Sequence, residues 1–275
     1  TLRGAIQTNV NGGNLTDARL SGSGATASNY NAGAPGANTG NLAVTFTAAA
    51  AGALAPMAAQ VLNLRSNFEN IPDQKLNIVL GSGAAAFNAA VGSATPTPVT
   101  LADQRVGGTL TQALTVSNTA AAGAFSEDLN ASFGTSTGSA THNAANIAGV
   151  VAGGSNVGSM SVGVNTLASG AKTGSVTLQY QTNGTVGGVS NGLGVAGANP
   201  DQVINVSGNV YQAASGSLQT GPLNFGTLQV GQTLNQNLVV RNTATGTAGF
   251  VEDLHASFGA SGNSQITGSG LLNGI

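Results

Sequence analysis

The sequence predicts an all-β chain of tandem antiparallel β-sandwiches with long Gly/Ala/Asn-rich loops, and two observations carry that prediction. The first is a duplication. Residues 106–134 (VGGTLTQALTVSNTAAAGAFSEDLNASFG) return at 230–259, 124 positions later. Val106, Gly107, Thr109, Leu110, Gln112, Leu114, Val116, Asn118 and Thr119 recur as Val230, Gly231, Thr233, Leu234, Gln236, Leu238, Val240, Asn242 and Thr243. After one inserted residue, Phe125, Glu127, Asp128, Leu129, Ala131, Ser132, Phe133 and Gly134 recur as Phe250, Glu252, Asp253, Leu254, Ala256, Ser257, Phe258 and Gly259. Chance does not preserve spacing over such a length. The second observation is alternation: short stretches place apolar residues at every other position between Gly-rich turns, the pattern of half-buried strands.

Composition narrows the classes. Of 275 residues only 6% are charged, with a net charge of -2, and two lysines and five arginines are scattered singly. A nucleic-acid surface needs clustered cations, so no nucleic-acid partner is expected. The 42 glycines, with abundant Ala, Ser, Thr and Asn, suit an extracellular or cell-surface bacterial β protein. Cysteine is absent, which excludes disulfides, thiolate metal sites and cysteine nucleophiles. No run of 18 apolar residues occurs, so no transmembrane helix is expected. A start at Thr1 without Met reads as a mature or trimmed product.

Taken in order, residues 1–13 read as one strand, and Asn14–Ser21 resembles Asp128–Phe133. Gly22–Gly40 has no period and reads as a long surface excursion. Asn41–Thr47 alternates Leu42, Val44 and Phe46. Alanine-rich Ala48–Ala59 is interrupted by Gly52 and Pro56 and reads as a loop with at most one helical turn. Gln60–Arg65 and Pro72–Leu80 are strands; Pro72, Asp73, Gln74 and Asn77 are answered by Pro200, Asp201, Gln202 and Asn205. These strands make residues 1–81 a partial sandwich holding the later strands of the repeat. Residues 82–98, ending Thr-Pro-Thr-Pro, read as an extended linker, with Phe87 packed against a domain face as Tyr211 would be.

Residues 99–210 make the complete unit. Its strands are Val99–Leu101, Thr109–Ser117, Asp128–Phe133, Ile147–Val151, Ser159–Val164, Ser175–Gln181 and Gln202–Val210. Leu110, Leu114, Val116, Met160, Val162, Val164, Val176, Leu178 and Tyr180 are the inward set. Asn183–Pro200 is a loop too long for a compact core. Seven short strands at this spacing predict an immunoglobulin-like sandwich. A parallel β-helix, the rival for so Gly-rich a chain, would repeat at about 20 residues rather than at domain length. Residues 211–275 hold the early strands of another copy: Pro222–Leu228, Thr233–Arg241 and Asp253–Phe258.

At Leu223–Thr243 the sequence resembles the opening of ASH/Hydin-like immunoglobulin domains, which in bacteria occur in secreted "choice-of-anchor D" proteins. The resemblance rests on Leu223, Phe225, Gly226, Val230, Gly231, Leu238, Val240, Asn242 and Thr243. It implies an extracellular or scaffold module, usually without catalysis. Leu101-Ala102 stands where Phe-Gly would be expected, which would leave the first strand of the complete unit shifted or frayed.

No catalytic, cofactor or metal residue is assigned. Glu127–Asp128 and Glu252–Asp253 could contribute to calcium binding, but such a site wants six or more oxygens. They read instead as turns whose carboxylates accept backbone N–H bonds. His142 and His255 are not equivalent and supply no triad; no serine lies in a Gly-x-Ser-x-Gly elbow, so a hydrolase is the least favoured reading. Gly81-Ser82-Gly83 lacks the Lys and helix of a phosphate loop. Asn118-Thr119 and Asn242-Thr243 should bond turn backbone. The expected function is a non-enzymatic structural component of a bacterial surface layer, fibre or matrix. Its chains would self-associate head to tail by strand complementation. An adhesin or glycan-binding module using the loops 22–40 and 183–200 is the alternative.

Overall fold

Alternating apolar residues and frequent Gly turns give a chain of short strands. The computed structural model describes residues 2–7, 14–26, 28–33, 36, 43–66 and 72–275, and among them there is no α-helix. The chain divides into two compact units, Thr1–Ala89 with Ala120–Glu127, and Ala90–Thr119 with Asp128–Ile275. No helix of the described residues is long and apolar enough to cross a membrane.

The first unit holds β1 (Leu2–Gln7), β2 (Leu20–Ser21), β3 (Ser28–Gly33), β4 (Thr45–Phe46), β5 (Gly52–Ala53), β6 (Gln60–Ser66), β7 (Gln74–Ile78) and β8 (Ala85–Ala86). One sheet has the order β3-β1-β6-β7, and the pairs β2-β4 and β5-β8 stand apart from it. Ile6 and Leu62 are buried there. Buried Gln60 accepts from the N–H groups of Thr16 (2.7 Å) and Asp17 (3.0 Å). Three expectations change. Gly22–Gly40 is not all excursion, because β3 lies within it and pairs with β1. Asn14–Ser21 meets β6 at the Asn14↔Val61 bridge, and the ladder along β6 is taken by β1. Asn41–Thr47 shortens to Thr45–Phe46, with Leu42 outside the described residues.

The second unit begins with β9 (Gly92–Thr95), β10 (Val99–Thr100), β11 (Gln104–Arg105), β12 (Thr111–Asn118), β13 (Leu129–Gly138) and β14 (Ala140–His142). There follow β15 (Ile147–Val150), β16 (Ser155–Val164), β17 (Gly170–Thr182), β18 (Thr185–Val186), β19 (Val189–Ser190) and β20 (Ala196–Tyr211). It closes with β21 (Gly216–Leu218), β22 (Val240–Asn242), β23 (Ala256–Ser257) and β24 (Leu271–Leu272). One sheet runs β10-β20-β17-β13-β15 with β11 also on β20; the other runs β14-β16-β12-β9. Both contribute to one core of Leu114, Val116, Leu129, Met160, Val162, Val176, Leu178, Tyr180, Ile204 and Val206. All nine expected inward residues are buried except Leu110, which is 45% exposed ahead of β12.

Residues 82–98 are not a linker. Ala90 and Ala94 are buried in the core, and β9 pairs with β12. The Thr-Pro-Thr-Pro stretch carries the chain from the β9 sheet to the β10 sheet, as residues without ladder N–H groups can. Nor is the strand at Leu101 frayed: β10 pairs in parallel with β20, and the Leu101 N–H donates to the Ser207 carbonyl (2.8 Å). Leu101 is itself buried. Gly92 is required by packing, since a Cβ there would lie 2.3 Å from the Tyr180 ring.

Register shows how far the duplication extends. Ala94↔Val116 and Gly92↔Asn118 return as Leu218↔Val240 and Gly216↔Asn242. Ala131↔Ile147 returns as Ala256↔Leu272. In the first unit, Leu62↔Leu76 and Leu64↔Gln74 repeat Val176↔Ile204 and Leu178↔Gln202. There β1, β2, β3 and β4 pair among themselves and with β6 as β13, β14, β15 and β16 pair among themselves and with β17. The first unit thus holds counterparts of β13, β14, β15, β16, β17 and β20, the later strands of the repeat.

Two outcomes follow. Leu114→Ala should lower unfolding free energy by about 2–5 kcal/mol, whereas Leu110→Ala should cost less than about 0.5 kcal/mol in the same denaturant titration. Asp17 bonds Arg19 side chain and backbone, which holds its carboxyl at about 2 rather than 3.8. Its contribution to the 17–19 turn is complete above the unfolded value and is lost as pH falls through the folded one. A carboxyl carbon titration by NMR should find that midpoint near 2; a midpoint near 4 would show the ion pair is not formed.

Candidate functional site

Asp128 is 1% exposed at the start of β13. Its carboxylate accepts from the Thr185 hydroxyl (2.6 Å), the Gly187 N–H (3.0 Å) and the Gly188 N–H (2.8 Å). Gly187 and Gly188 both have positive φ, 56° and 81°, as a two-residue hairpin turn between β18 and β19 demands. The carboxylate accepts backbone N–H bonds, but it is buried where a solvated turn was expected, and the turn it builds is the distant 185–190 hairpin. Residues 183–200 are correspondingly not a plain loop: they contain this hairpin and the start of β20. The signal for it, Gly-Gly flanked by Val186 and Val189, was present in the sequence. The equivalent Asp253 is exposed. No group of three or more His, Asp or Glu placed to hold a metal occurs among the described residues.

Asn118 and Asn242 perform one task twice. Asn118 Oδ1 accepts from the Val91 N–H (3.1 Å) and its Nδ2 donates to the Val150 carbonyl (3.0 Å). Asn242 Oδ1 accepts from the Ser215 N–H (3.1 Å) and its Nδ2 donates to the Ile275 carbonyl (3.1 Å). Thr119 and Thr243 donate through backbone and hydroxyl to the carbonyls of Val91 and Ser215. Each Asn-Thr pair ties one strand end to two neighbouring segments.

A second duplicated feature joins the aromatic residues. Within the first unit, Phe87 and Phe125 stand 5.6 Å apart, the Asn88 N–H donates to the Phe125 carbonyl and the Glu127 N–H to the Asn88 carbonyl. Within the second, Tyr211 and Phe250 stand 5.4 Å apart, the Gln212 N–H donates to Phe250 and the Glu252 N–H to Gln212. Phe87 and Tyr211 thus behave as equivalents. At the second location Arg105 Nε also meets both Glu252 carboxylate oxygens, at 2.9 and 3.0 Å, which holds the guanidinium still more firmly protonated.

The histidines are not brought together. His142 stacks on Phe133 (4.3 Å) and its Nδ1 accepts from the Ala144 N–H, whereas His255 Nδ1 lies 3.0 Å from Asn273 Oδ1. Tyr180 is buried, which pushes its phenol up, and its hydroxyl donates to Gln202 Oε1 (2.8 Å). Leu238, Val240, Ala256, Phe258 and Leu272 line a groove of about 350 Å³. Their equivalents Leu114, Val116 and Ala131 are covered in the core.

No protein-family model matches the chain, and no curated protein matches it. A solved structure of a protein of unknown function from Porphyromonas gingivalis W83 aligns with 75% of this chain and 84% of its own, at 12% identity and a TM-score of 0.23. Likeness of that degree carries no argument about fold or function.

Asp128→Ala should cost about 3 kcal/mol or more in the unfolding of the second unit, since three donors lose a charged acceptor inside the protein. Asp253→Ala should change stability by less than about 0.5 kcal/mol. Equal effects in denaturant titration would show that the two acidic pairs are structurally alike.

Proposed function

We propose that the chain is a non-enzymatic structural protein of the cell surface or extracellular space, built from tandem immunoglobulin-like sandwiches of the ASH/Hydin kind. The observation that carries this reading is the repeated register: copies of one strand plan recur along the chain in matching pairs. Repetition of one strand plan, with its Asn-Thr ties and aromatic docking, fits a chain whose product is length and spacing. The duplicated positions hold structure: the Asn-Thr pairs tie strand ends, and the aromatic residues pack. Low charge and abundant small polar residues agree with an extracellular bacterial setting.

Self-association belongs to the same proposal in a narrowed form. Among the described residues of the first unit β4 pairs with β2, where its counterpart β16 pairs with β14 and also with β12. Within residues 213–275, β22, the counterpart of β12, is paired on its β21 side. The edge of β22 in one copy would pair with the edge of β4 in another, supplying backbone bonds as in strand addition. Heterologous pairing of this kind does not close, and it extends into a fibre.

Immunogold labelling of intact producing cells should place the protein on the surface or in the medium. Label confined to the cytoplasm would overturn the extracellular reading. Sedimentation of the 275-residue chain should show species that grow with concentration. A monomer throughout the range would remove self-association from the proposal.

A further inference from the structure

The loop before β13 and its copy before β23 carry the pattern Phe-x-Glu-Asp, and both dock in the same way. In each case an aromatic residue stands at a strand end, packs on the loop phenylalanine, and is followed by a residue whose backbone bonds on both sides of the loop. The bonds have the same sense and nearly the same lengths: 2.8 and 3.0 Å at Asn88, 2.8 and 2.9 Å at Gln212. Isolated parallel bridges Asn88↔Ser126 and Gln212↔Val251 mark both places. This docking explains why Ala120–Glu127, which lie between β12 and β13, group with Thr1–Ala89.

We infer that the surface at the end of β20, formed by Tyr211, Gln212, Ser169 and Arg105, is a seat for the Phe-x-Glu-Asp loop of the following repeat. It holds residues 213–275 in one orientation on residues 90–211. The partner it fits is another copy of this repeat, recognised by an aromatic ring, two backbone bonds and a carboxylate. Ser169 takes part through two bonds: the Thr247 N–H donates to its hydroxyl (2.8 Å) and the Thr247 hydroxyl to its carbonyl (2.9 Å). Gly246 allows the approach, because a Cβ there would lie 2.6 Å from Ser169 Oγ. Arg105 adds a charged contact with Glu252 that salt weakens, since the pair is exposed. Without such a seat, the two-residue connection Ala213-Ala214 before the Ser215–Thr243 contact would act as a hinge. The seat makes spacing between repeats a fixed quantity, which rests on the structural reading above but not on where the protein resides.

The absence of cysteine allows a direct test. Val157 and Val239 are 74% and 57% exposed. Spin labels at Val157→Cys and Val239→Cys of the full chain would report their separation by double electron–electron resonance. A single narrow distance distribution is expected in the parent, broadening at least twofold with Tyr211→Ala plus Phe250→Ala and staying narrow with Tyr211→Phe. Hydrogen exchange should show the Gln212 and Glu252 amides losing at least tenfold protection in the double alanine variant. The Thr243 amide, bonded to Ser215, keeps its protection if residues 213–275 remain folded. A broad distribution in the parent, or a narrow one in the double alanine variant, would overturn the inference. Surface labelling of cells is independent of both results.

Discussion

The second unit depends on how one side chain, Gln202, ties its two sheets together. Its amide accepts from the Ala94 N–H (2.7 Å) and donates to the Ala94 carbonyl (2.9 Å), and its Oε1 also accepts from the Tyr180 hydroxyl. Gln202 lies on β20 of one sheet and Ala94 on β9 of the other. Sheets that share a dry core meet mainly through side-chain packing, which is non-directional and fixes relative position weakly. A paired amide bond at the rim sets that position. It also satisfies the phenol that Tyr180 carries into the interior, which would be costly left alone. Gly92 completes the arrangement by leaving room for the ring. With β9 placed, β12 and β16 follow in register and the core closes.

What the sequence made legible was the part ruled by local alternation. Met160, Val162, Val164, Val176, Leu178 and Tyr180 occupy long strands flanked by pairing partners on both sides, where period two is enforced by burial. Leu110 broke the pattern because it precedes β12, beyond the ladder that enforces alternation. Gly92–Thr95 was hidden for the opposite reason: Gly, Ser, Ala and Thr are small, and their core contribution comes from letting Tyr180 approach rather than from apolar bulk. The Ser28–Gly33 strand, with Tyr30 its one large side chain, was likewise silent. It is held by backbone pairing to β1, which composition does not display.

The duplicated acidic pair shows where motif reading stops. Asp128 and Asp253 occur in almost identical local sequence, yet one is buried beneath three donors and the other faces solvent. The difference lies some 57–60 residues downstream, in Thr185, Gly187 and Gly188. A carboxylate's chemistry is set by its partners. The Asn-Thr pairs, expected to bond the turn backbone, bond Val91, Val150, Ser215 and Ile275 in neighbouring segments, which belong to the same repeat.

A chain with so few charges sets several of its aromatic residues in pairs. Phe87 with Phe125, Tyr211 with Phe250 and Phe133 with His142 account for six of its aromatic and imidazole rings. Two of these pairs stand at strand ends, where an unpaired ring would otherwise meet water. Tilted rings at 5.4–5.6 Å gain area burial and lie within the centroid distances at which aromatic rings attract. Backbone bonds at Asn88 and Gln212 then fix direction, which stacking alone leaves loose. At Gln212 ring and ladder together specify one orientation, and neither needs a charge. The Arg105–Glu252 contact, exposed and confined to the second location, is therefore a refinement of that orientation and not its source.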